Sequence, residues 1–366
     1  MDVKVKAGVI AAELSLLAGI TARKPTIPEL SYVLIETEMG GLKLTATDLD
    51  VTLRSSCPAE VVSPGSMLLP ARRLAELSKL WADDMVIQIT AGTKGDGRIK
   101  AGDYDGRMQV LDPKGFPTIA DVPSSAVTMF KNKALAEMLS QVAPCIKADN
   151  RYQTDGVSLA VKAGKATSVA TDGHRLGLSV TDVDVASPDS DVIIPSKAMA
   201  GIQSLLSDEG ECAFVSGENH LFFSAGDRLL MSRVIEGKFP EYQRMIPKNN
   251  DTVAVVDRDK LAQAMRRVAV IKTDESASVR VRVEKDAIVI SAVGAEVGDA
   301  TERVLAEVTG EPVESAYRLQ YLMDFLGGAT PGNVSLEMKS DKMPGLFVQL
   351  GDGPTKYRMV VMPMMV

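Results

Sequence analysis

An internal repeat constrains this chain more than any single motif. Leu42-Lys43-Leu44-Thr45-Ala46-Thr47-Asp48 returns as Ala166-Thr167-Ser168-Val169-Ala170-Thr171-Asp172, and Ala287-Ile288-Val289-Ile290-Ser291-Ala292-Val293 is a weaker third copy. Pro70-Ala71-Arg72-Arg73-Leu74 matches Pro195-Ser196-Lys197-Ala198-Met199, with Ala316-Tyr317-Arg318-Leu319 a looser third. Thr171 follows Thr47 by 124 residues and Pro195 follows Pro70 by 125. Amphipathic patterns at three-and-four spacing recur as Val9-Ile10, Leu14 and Leu17, as Leu135, Met138-Leu139, Val142 and Ile146, and as Leu261, Met265 and Val268. A period near 120 residues is far longer than a solenoid unit, so three related domains are expected. Turn-rich stretches at 121–124 and 247–251 place them at 1–123, 124–248 and 249–366. The expected class is α+β, with two helices and antiparallel strands in each domain, hairpin-like alternation closing each copy, as at 221–234.

Composition narrows the function. With 45% hydrophobic and 24% charged residues the chain reads as globular, and no apolar run reaches the roughly 18 residues of a membrane span. The start, Met1-Asp2-Val3-Lys4-Val5-Lys6, alternates like a strand and lacks the apolar core of a signal peptide. Cys57, Cys145 and Cys212 are odd in number and widely spaced, which suits a reducing cytoplasm rather than a disulfide framework. The net charge of −7 argues at first sight against nucleic acid. Its distribution argues the other way. Segments 8–24, 132–148 and 258–274, taken as first helices, hold nine basic and four acidic residues. Segments 70–80, 195–206 and 316–327, taken as second helices, hold five basic and two acidic ones. Basic helices on an otherwise acidic chain suit sequence-independent contact with phosphates.

Asp172-Gly173-His174-Arg175 admits three readings: a catalytic pair, a turn capped by Asp172 with Gly173 at positive φ, or a binding site. His220, the other histidine, falls in the turn Gly217-Glu218-Asn219-His220, and HExxH, GxxxxGK[ST] and GxSxG are absent. No cofactor and no metal is expected. Asp50, Asp103 and Asp105 read as solvated acids, and Trp81 and Cys145 as structural.

Ala170-Thr171-Asp172-Gly173-His174-Arg175-Leu176 and Phe239-Pro240-Glu241-Tyr242-Gln243-Arg244-Met245-Ile246-Pro247-Lys248-Asn249 bring a family into view. With Lys24-Pro25-Thr26-Ile27-Pro28, Thr47-Asp48-Leu49 and the terminal Tyr357-Arg358-Met359-Val360-Val361-Met362-Pro363-Met364, the whole chain resembles the bacterial DNA polymerase III beta subunit family, the sliding clamps. The resemblance implies a non-catalytic processivity factor, a head-to-tail homodimeric ring of six domains with helices lining the hole. Implied partners are double-stranded DNA, a second copy of the chain, a clamp loader, the DNA polymerase III catalytic subunit, and other polymerases and repair proteins carrying clamp-binding peptides. It implies DNA contacts at Lys24, Arg72, Arg151, Tyr152, Gln153 and Lys197, with Gln153 standing where the family commonly has a second aromatic. A partner-peptide pocket for leucine and phenylalanine anchors is implied at Thr171, Gly173, His174, Arg175, Leu176, Pro240, Met245, Val360, Met362, Pro363 and Met364, with Met365 in place of a basic residue. Subunit contacts are implied at Arg73, Arg107 and Met108 against Ile271, Lys272, Glu296 and Glu302. The alternatives are a clamp-like paralogue or a metal-dependent phosphohydrolase using Asp172 and His174.

Overall fold

Each third of the chain runs through the same order of elements: a strand, a helix, five strands, a second helix, three strands. The computed structural model describes residues 1–22, 25–92, 95–124, 127–147, 153–185, 189–271, 278–294 and 298–364. Among the described residues the six α-helices are α1 (Ala7–Ile20), α2 (Ala71–Ser78), α3 (Asn132–Val142), α4 (Ser196–Leu205), α5 (Arg258–Ala269) and α6 (Leu319–Gly328). The predicted apolar stripes are the buried faces: Ile10, Leu14 and Leu17 on α1, and Leu261, Met265 and Val268 on α5. Each such side chain contributes roughly 1.5–3 kcal/mol on leaving water.

The helices are shorter than their sequence patterns. α1 stops before Thr21, whose extended backbone ends the spiral while its hydroxyl donates to Ala18 O (3.0 Å). α3 stops at Val142, ahead of Pro144 in a short 3-10 turn, because proline brings no backbone N–H. Pro70 and Pro195 close strands one residue ahead of α2 and α4 rather than opening the helices. Within these bounds the six helices carry eight basic and five acidic residues, so the expected surplus is much reduced. Most of it belongs to flanking residues, of which Arg23, Lys24 and Lys272 lie outside the described residues.

Three repeats build two compact units, because neighbouring repeats share sheets. The first unit joins residues 1–132 to 185–187 and 197–234, and the second joins 133–184 and 188–196 to 235–366. In the first, Val51–Pro58, fourth strand of repeat one, pairs antiparallel with Arg228–Arg233, ninth strand of repeat two. In the second, Arg175–Asp182, fourth of repeat two, pairs antiparallel with Lys356–Val361, ninth of repeat three. A nine-stranded sheet results in each case. The remaining fourth strand, Gly298–Leu305, is the edge of a four-stranded sheet, and the remaining ninth strand, Tyr104–Gln109, is the edge of a five-stranded one.

The first helix of each repeat is tied to that repeat's fourth strand. Glu13 on α1 accepts from Ser55 and holds Arg228 by two hydrogen bonds (2.7 and 2.9 Å), so one carboxylate grips both strands of the first junction. Gln141 on α3 accepts from Ser179 (2.6 Å) and donates to Gly328 O (3.1 Å) and Thr355 Oγ1 (3.0 Å). Arg267 on α5 binds Glu302 on the open edge strand. Burial works against the Glu13 charge, but Arg228 and Ser55 outweigh it and hold the carboxyl below its ordinary 4.5. A depressed folded-state value gives stability that is full above the unfolded value and fades as pH falls through the folded one. Glu13→Gln should therefore lower the urea midpoint at pH 7, with the deficit against wild type shrinking below about pH 4; a pH-independent deficit would contradict this.

Candidate functional site

The corner at 171–175 has a structural twin. Thr171 Oγ1 donates to Arg175 O (2.7 Å) and accepts from Gly173 N (3.2 Å), while Asp172 Oδ1 accepts from His174 N (2.9 Å) and Arg175 N (3.0 Å). In the first repeat Thr47 Oγ1 donates to Val51 O (3.1 Å) and accepts from Leu49 N (3.1 Å), and Asp48 Oδ1 accepts from Asp50 N (3.1 Å) and Val51 N (2.9 Å). The third corner residue is left-handed in both, Gly173 at φ +88° and Leu49 at φ +79°. The short Thr and Asp side chains make this turn by satisfying its backbone locally.

What differs is the residue that follows. Arg175 is buried, and its guanidinium meets Asp172 Oδ2 (3.1 Å), Asp324 on α6, Pro144 O and the face of Tyr321, 4.2 Å from the ring centre. Burial works against this charge, but Asp324 first and Asp172 after it hold Arg175 above the ordinary arginine value. Both Asp172 oxygens are thus engaged, and His174 is exposed. Among the described residues no group of three or more His, Cys, Asp or Glu could hold a metal.

Beside the corner lies an apolar cavity of about 240 Å³, lined by Gly173, His174, Arg175, Leu176, Arg244, Met245, Ile246, Pro247, Met343, Pro344, Val360 and Met362. Its floor is a cross-strand pair, Leu176 against Val360, backed by Val169 and Leu346. Phe239, Tyr242 and Ile246 of the inter-repeat segment pack on that cluster and carry Met245 to the rim. Met362 N donates to His174 O (2.9 Å), which extends the strand ladder past its end. Thr171 is buried beneath as a turn-former, and Pro240 lies outside the lining. Pro363 and Met364 line a neighbouring cleft of about 770 Å³ with Met362, Arg280, Glu314, Asp341 and Lys342. Met343-Pro344, on the hairpin before Gly345–Gln349, was missed by sequence reasoning. Its one signal is a methionine inside the polar turn Asp341-Lys342-Met343-Pro344.

In the first unit Arg72 and Lys197 line one cleft of about 500 Å³ with Asp48. Arg72 donates to Thr21 O (3.0 Å), and Lys197 Nζ sits 2.8 Å from both Asp48 and Asp50. Burial alone would lower the Lys197 value, but the two carboxylates raise it. Asp50 and Asp105 are therefore not merely solvated: Asp105 pairs with Arg98. Gln153 touches the turn at Gly237; Lys24, Arg151 and Tyr152 lie outside the described residues. Arg107 and Met108 are on the open edge strand Tyr104–Gln109, Arg73 is exposed and paired with Glu76, Ile271 follows α5, and Lys272 and Glu296 lie outside the described residues, as does Met365. His220 begins a strand rather than lying within the turn. Among the described residues no helix is long and apolar enough to cross a membrane.

Known proteins share this arrangement. Models of the N-terminal, central and C-terminal domains of the DNA polymerase III beta subunit match residues 1–120, 129–241 and 243–365. A beta sliding clamp of Pseudomonas aeruginosa is 31% identical over 355 residues, 96% of each chain, and that of Caulobacter vibrioides is 30% identical with full coverage of both. A crystal structure of the Pseudomonas aeruginosa sliding clamp bound to griselimycin superposes with a TM-score of 0.93 at 30% identity over all of both chains. A Bacillus subtilis clamp shares the fold at 21% identity with a TM-score of 0.94, covering 100% of this chain and 99% of its own. The chain belongs to the DNA polymerase III beta subunit family. Its function is that of a DNA sliding clamp, a processivity factor rather than a hydrolase.

Arg175 holds the corner by burying a charge among its partners. Arg175→Ala leaves Asp324 and Asp172 without their cation and should cost roughly 3–5 kcal/mol, read as a lower urea midpoint for the transition of the second unit.

Proposed function

We propose that two copies of this chain close head to tail around duplex DNA and that the cavity at Leu176 and Val360 docks partner peptides. One observation carries the ring. The fourth strand of each repeat pairs with the ninth strand of the next, and the chain satisfies this rule twice. Gly298–Leu305 and Tyr104–Gln109 remain as the two unmatched members of a third such pair. Open edges are a template for another strand, and two-fold closure uses both. Joining them brings Arg107 and Met108 of one copy toward the strand carrying Asp299 and Glu302 of the other, with Arg73 and Ile271 beside it; Lys272 and Glu296 are assigned to the same contact by resemblance. The domains stay as drawn from the repeat, 1–123, 124–248 and 249–366.

On DNA, Arg72 and Lys197 contact phosphates, together with Lys24, Arg151, Tyr152 and Gln153 by resemblance. Lys197 does so in competition with Asp48 and Asp50, which keeps the contact weak enough for sliding. The cavity accepts leucine and phenylalanine anchors of the clamp loader, the DNA polymerase III catalytic subunit, other polymerases and repair proteins. Tethering then raises a polymerase's effective concentration at the primer end. The setting is the cytoplasm, in keeping with the three free, buried cysteines.

Sedimentation should return twice the chain mass of 39.1 kDa, and Arg107→Glu should weaken association by about 1 kcal/mol, the scale of an exposed pair. A compact monomer at micromolar concentration would refute the ring. Leu176→Asp should abolish binding of a leucine/phenylalanine peptide while the dimer persists, since it puts a charge on the cavity floor; unchanged affinity would refute the pocket.

A further inference from the structure

Exposed methionines are concentrated at one place on this chain. Met245, Met343, Met362 and Met364 are 39%, 47%, 43% and 38% exposed, and among the described residues the one other methionine of the exposed large hydrophobics is Met39. Met245, Met343 and Met362 line the apolar cavity, and Met362 and Met364 line the adjoining cleft. Methionines in the same unit but inside the sheets, Met338 and Met359, are 1% and 0% exposed. Met359 and Met362 lie three residues apart on one strand and its extension, one sealed and one open. A thioether at solvent is within reach of small oxidants, whereas a buried one is shielded.

We propose that this rim is a site of reversible oxidation by peroxide, and that oxidising it switches off peptide docking. The forward step needs only the peroxide, and the return step needs a methionine sulfoxide reductase, whose thiols supply two electrons while the oxygen leaves as water. A methionine sulfur attacks one oxygen of hydrogen peroxide, the O–O bond breaks, the S–O bond forms, and water leaves. The sulfur loses two electrons and the peroxide gains them. Each event replaces a soft apolar surface with a strongly polar S=O group. On the open rim that oxygen is solvated by water. Under an apolar anchor it loses that water, and the side-chain donors of the lining are His174, Arg244 and Arg175, the last already held by Asp172 and Asp324. The His174 ring can turn to water, and Arg244 is drawn to Glu241 (3.3 Å). Burying an unpaired polar group disfavours the docked state selectively, because the undocked rim loses nothing. The core methionines of this unit, Met138, Met265, Met338 and Met359, are shielded by burial.

The inference rests on the docking reading above, and the test separates the two. Hydrogen peroxide is applied to the full-length chain, oxidation is mapped by peptide mass, and affinity for a synthetic leucine/phenylalanine peptide is measured before and after. We expect Met245, Met343, Met362 and Met364 to oxidise well before Met338 and Met359. Affinity should fall by roughly tenfold or more, and methionine sulfoxide reductases should restore it. Met39→Leu should remain as peroxide-sensitive as wild type. In the quadruple Met245→Leu, Met343→Leu, Met362→Leu, Met364→Leu variant, peroxide should leave whatever affinity that variant has unaltered. No peptide binding before treatment would sink the docking reading itself. Binding that survives mapped sulfoxidation of the rim, or that reductase treatment does not restore once the thioethers are regained, would overturn the switch. So would oxidation that reaches Met338 and Met359 as fast as the rim.

Discussion

The backbone ladder between the fourth strand of one repeat and the ninth strand of the next is the interaction on which the rest depends. A strand edge carries a row of N–H and C=O groups that must find partners, and here the partner comes from the following repeat. The helix-to-strand ties at Glu13, Gln141 and Arg267 support those strands from behind. The apolar cavity is a by-product of the same pairing. Its floor residues, Leu176 and Val360, are partners across the second junction, and the tail reaches the corner because the ladder continues to Met362. Pairing by backbone alone tolerates wide divergence of side chains. That explains how relatives near 30% identity superpose over the full chain.

The two corners show how one turn supports different chemistry. In the first unit the position paired across the junction is Thr52 against Met231, where the second unit has Leu176 against Val360. The first corner holds Lys197 between Asp48 and the exposed Asp50. The second turns its cation inward, where Arg175 is consumed by Asp172 and Asp324, and leaves an apolar surface beside it. The proximity of Asp172 and His174 in sequence therefore signifies a capped turn. The carboxylate is spent on backbone and guanidinium, and the imidazole is exposed.

Some of the site was legible because its cause is local. Thr and Asp at fixed offsets make the corner through bonds spanning two to four residues, so both copies could be recognised as turns. Apolar spacing marked the buried stripes of the helices. Other parts have causes far away in the chain. Lys197 meets its carboxylate Asp50 across 147 residues and Arg175 meets Asp324 across 149, so neither a lysine in a basic helix nor an arginine in a loop discloses whether its charge is free. Met343-Pro344 enters the cavity wall from a hairpin that no periodicity connects to residues 173–176.

By itself the sequence determined the repeat, two helices with antiparallel strands in each copy, the polar corners and the family, since all of these rest on local pattern. Tertiary structure alone decided that three repeats make two compact units, which strands remain open, which cations are already neutralised, and which methionines lie at the surface. Those outcomes depend on strands and side chains more than a hundred residues apart meeting one another. Such meetings are set by sheet pairing and burial, and no short stretch of sequence contains both partners.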